Sequence, residues 1–160
     1  MRELEVVGVR VEMPANAPLV LLREREAGRY LPIWIGAGEA TAIAFAEQGV
    51  VPPRPLTHDL MKDILVATSS DLSEVRIVAI RDGVFYATLA FQSGIEVSAR
   101  PSDGIALALR TGSRIMCEES VLEEAGITAA ESGESEEEES EVEKFRAFLD
   151  SVSPEDFENE

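Results

Sequence analysis

The segment Arg100-Pro101-Ser102-Asp103-Gly104-Ile105-Ala106-Leu107-Ala108-Leu109-Arg110 limits what this chain can fold into more than any other stretch. A proline in the first turn, polar residues beside it and an unbroken apolar run predict a helix that begins at Pro101 or Ser102. Residues 105–109 are apolar on every side, and the alanines at 106 and 108 permit close backbone approach, so this helix is buried rather than amphipathic. The rest of the chain must enclose it. Its polar N-terminus is the exception: Arg100, Ser102 and Asp103 surround unpaired backbone N–H groups, a geometry suited to an anion.

Several strands are available to cover that helix. Alternation over residues 2–13 predicts a first strand with Val7, Val9, Val11 and Met13 facing the core. Residues 19–26 and 30–35 read as the second and third strands of an antiparallel meander. Residues 39–48 form an alanine-rich helix closed by Gly49, and three prolines between 52 and 55 stiffen the connection to the next helix. That helix spans residues 57–67 with Thr57 as its N-cap; Leu60, Ile64, Leu65 and Thr68 make the apolar stripe, and His58, Asp59, Lys62 and Asp63 stay polar. Arg81-Asp82-Gly83 joins strands 74–80 and 83–91 as a hairpin, because Asp-Gly supports the left-handed turn that strand twist prefers. Residues 95–99 add a strand. After the central helix, Gly112 is a C-cap, 113–117 a short strand and 118–125 a last helix of this region. The pattern is an α+β fold, a mostly antiparallel or mixed sheet packed with three to four short helices, followed by an acidic, flexible C-terminal tail.

Charge separates that tail from the body. Residues 1–127 hold 12 Lys and Arg against 18 Asp and Glu, net −6, whereas residues 128–160 hold 2 against 13, net −11. Residues 128–140 have no large apolar side chain and include four consecutive glutamates at 136–139, so they are read as a disordered linker. Within 141–160, Val142, Phe145, Phe148, Leu149 and Val152 recur at helical spacing and predict a short tethered helix over 141–151. A net-acidic body argues against broad non-specific affinity for nucleic acid, though not against a local basic site. No apolar run approaches a membrane span and no signal-peptide core follows Met1, which points to a cytoplasmic protein without a membrane partner. Cys117, the single cysteine, reads as an inert buried thiol, and Trp34 and Phe45 as core.

Four blocks carry a family likeness: Leu31-Pro32-Ile33-Trp34-Ile35-Gly36 with Glu39-Ala40 and Ile43-Ala44; Pro53-Arg54-Pro55-Leu56-Thr57-His58-Asp59-Leu60; Gly83-Val84-Phe85-Tyr86-Ala87; and Ala99-Arg100-Pro101-Ser102-Asp103-Gly104-Ile105-Ala106-Leu107-Ala108. In this order they make residues 1–127 resemble the bifunctional nuclease family, as a bacterial member. The resemblance implies an α+β domain and, from some members, hydrolysis of both DNA and RNA. Members often carry Asp where this chain has Ser98, and alanine where it has Gly104.

Cutting a phosphodiester needs an activated water, stabilisation of charge at phosphorus and usually a divalent metal held by carboxylates. Glu39, Asp59 and Asp103 each fall in the first turn of a predicted helix and are the candidates for Mg²⁺ or Mn²⁺; Arg54, Arg100 and Ser102 would meet the phosphate. His58, the only histidine, is the candidate general acid or base, with Glu39, Asp59 and Asp103 beside it as catalytic candidates. A structural account competes for each. Acids in first turns favour the helix dipole, His58 and Asp59 suit a capping cluster, and Arg54 and Arg100 would pair with Asp59 and Asp103. The corresponding second function is a non-catalytic homo-oligomeric module whose tail helix docks on a protein partner through Phe145, Phe148 and Leu149. The glutamate run is either a solvated spacer or a nucleic-acid mimic competing for a basic cleft.

Overall fold

Alternating residues in the first third of the chain become an antiparallel meander of β1 (Arg2–Glu12), β2 (Ala17–Glu24) and β3 (Tyr30–Trp34). The computed structural model describes residues 1–132. Two helices follow, α1 (Ala37–Gln48) and α2 (Thr57–Ala67), then β4 (Leu72–Arg81), β5 (Val84–Phe91) and β6 (Glu96–Ala99). The chain continues through α3 (Pro101–Thr111), β7 (Arg114–Cys117), α4 (Glu119–Ala125) and a single turn, α5 (Ala129–Ser132). The described residues thus form an α+β fold with a seven-stranded mixed sheet and five helices, one more than the three to four expected. No helix among them is long and apolar enough to cross a membrane.

The strand order is β3-β2-β1-β7-β4-β5-β6, and every neighbouring pair is antiparallel except β4 and β7. That parallel pair exists because α3 and its flanking strand carry the chain back across the sheet and set β7 between β1 and β4. Asp82 and Gly83, at φ 52° and 77°, make the tight β4–β5 turn that the Asp-Gly pair predicts.

Buried α3 is the centre of the packing, against α1, α2, β4, β5 and β7. Its Ile105, Ala106, Leu107 and Ala108 join Val20, Leu22, Leu31, Ile43, Val75 and Ile77 in the main core. The side-chain-free Gly104 lets α3 close on the sheet: a Cβ there would stand 2.6 Å from Cγ1 of Val75. The absence of a side chain at residue 104 is therefore matched to Val75. Cys117 is fully buried in the same core, and burial pushes its thiol up to about 12.

Three expectations about which face is buried need correction. In β1 the register shifts between Val6 and Gly8, a bulge that leaves Val7 over. Leu4, Val6 and Val9 therefore meet the main core, Val7 joins a smaller cluster with Leu19, Leu21 and Tyr30, and Val11 and Met13 are exposed. On α2 the inward face is His58, Met61 and Leu65, while Leu60 and Ile64 are half-exposed. His58 and Asp59, on the side of this helix that meets α3, contact Asp103 and Arg110 there. Trp34, expected in the core, ends β3 with 54% of its surface exposed, and Phe45 is only partly buried.

Thr128 begins the second unit, within the stretch read as an unstructured linker. There α5 forms a turn, because Glu131 Oε2 accepts from both the backbone N–H (2.8 Å) and the hydroxyl (2.9 Å) of Thr128. The rest of that linker and the tail helix expected over 141–151 lie outside the described residues.

Candidate functional site

The N-termini of α1 and α3 and the start of α2 bring Glu39, Arg100, Asp103 and His58 together. Arg100 is the N-cap of α3, held extended at φ −73°, ψ 141° with Pro101 behind it. From there its Nε donates to Asp103 Oδ2 at 2.9 Å and its Nη2 to Glu39 Oε1 at 2.7 Å. His58 Nε2 lies 2.9 Å from the other oxygen, Oδ1, of Asp103. A carboxylate oxygen accepts from a ring N–H, so Nε2 carries the hydrogen, and in the neutral form of the ring Nδ1 holds the lone pair. The four groups form one chain of contacts, Glu39 to Arg100 to Asp103 to His58.

Exposure divides this cluster by task. The Arg100 side chain is 65% exposed, whereas that of His58 is 10% exposed. A hydrogen bond from its own backbone N–H, followed by the Arg100 guanidinium, holds the Glu39 carboxyl below its usual range. Glu39 folds back over Gly36 so closely that a Cβ on that glycine would collide with Oε2. Both carboxylates raise the affinity of Arg100 for its proton, so its charge is fixed.

Asp59 does not join this group. Although adjacent to His58, it takes a different direction along α3: Arg110 Nε donates to its Oδ1 at 2.7 Å, and the Leu56 N–H to its Oδ2 at 3.0 Å. Arg110 is enclosed, with its side chain 8% exposed, and also donates to the carbonyls of Ala106 (2.8 Å) and Ala42 (3.0 Å). The Asp59 carboxyl is accordingly held low, first by the Arg110 hydrogen bond. The expected capping role of Asp59 is present, with Leu56 rather than Thr57 as the N-cap. The expected Arg54–Asp59 pair is not: Arg54 is exposed and makes no ion pair among the described residues. Arg110 is the partner that sequence reasoning missed, although its place in the last turn of a helix expected to be buried already implied a need for acceptors.

The three carboxylates expected to share a metal do not fit one as arranged. Each accepts from N–H donors on two sides, and among the described residues no three His, Cys, Asp or Glu side chains stand where they could hold a metal ion. Ser98 is exposed on β6 opposite Thr88.

Ser102 opens a different feature. It is 7% exposed, its hydroxyl makes no hydrogen bond among the described residues, and with Arg100 it lines a cavity of about 390 Å³. The other walls are Trp34 and Gly36 at the end of β3 and Val84 and Phe85 after the β4–β5 turn. The first backbone hydrogen bond of α3 runs from the Gly104 N–H to the Arg100 carbonyl at 3.1 Å, so the N–H groups of Ser102 and Asp103 precede the helical ladder.

Comparison with known proteins gives a family and two relatives. A family model described as the bifunctional nuclease domain matches residues 20–130, which takes in β3, α2 and α3 with every residue of the cluster. Two relatives from Mycobacterium tuberculosis, Uncharacterized protein MT1877 of strain CDC 1551 / Oshkosh and Uncharacterized protein Rv1829 of strain ATCC 25618 / H37Rv, are each 57% identical over 163 residues. Each match covers 98% of this chain and 98% of the relative.

Proposed function

This chain belongs to the bifunctional nuclease domain family, and from that premise we propose that it hydrolyses phosphodiester bonds of DNA, RNA or both at the cluster of Arg100, His58, Asp103 and Glu39. The observation that supports this reading is the convergence of residues 39, 58, 100 and 103, from three helix starts, around an exposed guanidinium. Arg100 spends Nε and Nη2 on carboxylates, and its Nη1 makes no hydrogen bond among the described residues. That nitrogen, with the N–H groups and hydroxyl at Ser102, neutralises charge as a water oxygen bonds to phosphorus and the ester P–O bond breaks. His58 Nδ1 takes the proton of the attacking water and gives it up to the ester oxygen that leaves. Asp103 holds the ring in the required tautomer and stabilises the imidazolium that forms. Glu39 fixes the other side of the guanidinium.

The test uses labelled single-stranded DNA and RNA, with Mg²⁺, with Mn²⁺ and with neither. Cleavage that falls about 10²- to 10⁴-fold in His58→Gln and in Arg100→Ala supports the assignment. Degradation equal in wild type and both variants marks a contaminating nuclease and overturns it.

A second reading, a homo-oligomeric or protein-binding module without catalysis, draws support from the half-exposed Leu56, Leu60 and Ile64 and from the edges β3 and β6 of the sheet. Light scattering after size exclusion tests it, and a monomer at every concentration removes the oligomer. The proposed protein contact through Phe145, Phe148 and Leu149 lies in the tail beyond the described residues.

A further inference from the structure

We infer that the cavity between the end of β3, the β4–β5 turn and the start of α3 takes one unstacked base of a single-stranded nucleic acid, with the ring against Trp34 and the adjoining phosphate at Arg100 and Ser102. The inference rests on the nuclease reading of the neighbouring cluster and adds to it a base site and a preference for strand form.

Four observations carry it. Trp34 is a large aromatic side chain half-exposed at a strand end that also walls a cavity, where the expectation from sequence was burial in the core. At about 390 Å³ the cavity is of the size that holds small planar ligands, and Val84 and Phe85 supply an apolar side facing the same space. Ser102, a residue only 7% exposed, lines it, and its hydroxyl has no protein partner among the described residues. Arg100 belongs both to the cavity wall and to the cluster with Glu39, Asp103 and His58, so a base seated here sets its phosphate beside the reacting groups.

Charge decides what kind of nucleic acid fits. A body of net −6 with one exposed arginine at the cavity cannot bind mainly by neutralising phosphates. Stacking on an aromatic face supplies affinity that does not depend on net charge, and only a strand with unpaired bases offers that face. A duplex keeps its bases inside the stack.

Trp34 is the only tryptophan, so its emission reports on the site directly. The probe is a phosphorothioate oligodeoxythymidylate, resistant to cleavage, alone and annealed to oligodeoxyadenylate. Binding is followed separately by anisotropy of an end label. The single strand is expected to quench Trp34 emission and to bind roughly tenfold more weakly to Trp34→Ala, with Trp34→Phe close to wild type; the duplex is expected to leave emission unchanged. If the single strand binds by anisotropy while Trp34 emission stays constant and Trp34→Ala binds like wild type, the base site is wrong and the nuclease reading stands. If neither strand form binds, the base site is wrong, and the cleavage assay on DNA and RNA decides the nuclease reading separately. Quenching without cleavage of the natural phosphodiester keeps the base site and removes catalysis.

Discussion

His58 Nε2 and Asp103 Oδ1 stand 2.9 Å apart across 45 positions of sequence, one on the first turn of α2 and the other on the first turn of α3. If the two act as one proton-handling unit, removing either costs nearly what removing both costs. We expect His58→Gln and Asp103→Asn each to lower the rate of single-stranded cleavage about 10²- to 10⁴-fold, and the double variant to be little worse. Losses that multiply would mean that the two residues work separately. Substrate affinity measured by anisotropy is expected to stay near wild type in Asp103→Asn, since Arg100 keeps Glu39.

Arg110 predicts a stability effect without a direct catalytic one. Truncation to alanine takes the guanidinium from the Asp59 carboxylate and removes the extra donor that the helical carbonyls of Ala42 and Ala106 share with their own backbone ladders. The expected loss is about 3–5 kcal/mol, read from urea unfolding. Arg110→Lys is expected to recover only part of it, because an ammonium lacks the planar fork that reaches a carboxylate and carbonyls together. A loss under about 1 kcal/mol for the alanine variant would show that water replaces all three contacts.

Glu24 is the other enclosed acid, its side chain fully buried and held by Arg29 Nε at 2.7 Å and Nη2 at 3.0 Å. Glu24→Ala is expected to destabilise by about 3–5 kcal/mol by leaving Arg29 with Glu119 alone. The same pairing sets a pH dependence. The Arg29 hydrogen bond lowers the Glu24 carboxyl, just as Glu39 and Asp59 are lowered from ordinary values of 4.5, 4.5 and 3.8 in that order. Groups depressed in the folded state contribute stability that is present above their unfolded values and lost as pH falls through the folded ones. The urea midpoint should therefore decline below about pH 4.5, with a shallower decline in Glu24→Gln; a midpoint constant down to pH 3 would contradict these pairings.

Gly104→Ala tests the contact of α3 with the sheet. The added methyl would meet Val75 Cγ1 at 2.6 Å, and the residues around it are fully packed, so overpacking of about 1–3 kcal/mol is expected in spite of the better helix propensity of alanine. Combining it with Val75→Ala makes room. The double variant should be less destabilised than the sum of the singles by at least about 0.5 kcal/mol, and strict additivity would show that the helix simply moves.

Particular residues separate what was legible from what was not. Pro101, Gly112 and Asp82-Gly83 act within a few positions of themselves, so the α3 start, its end and the β4–β5 hairpin could be read directly. Glu24 had a readable signal that went unused: alternation from Val20 and Leu22 puts it on the inward face of β2. The single-residue bulge at Val7 had a signal in Gly8, an isolated glycine within a strand pattern, but which residues it turns inward is settled by pairing with β2. The candidate site behaves in the same way. First-turn acids marked Glu39, Asp59 and Asp103 as helix-start residues, and a spacing of three positions made Arg100 the expected partner of Asp103, but nothing local brought Arg100 to Glu39 or Arg110 to Asp59.

The amino-acid sequence alone determined that a fully apolar helix would lie inside an α+β domain, with a polar, arginine-flanked start, because those are properties of short windows. Tertiary structure alone decided that Arg100 would join Glu39 to Asp103, that Asp59 would turn to Arg110, and that Trp34 would line a cavity instead of filling the core. Those outcomes depend on how α1 and α2 cross α3. Helix crossing is set by packing over the whole core, and a side chain several turns or strands away becomes a neighbour only once that packing is complete.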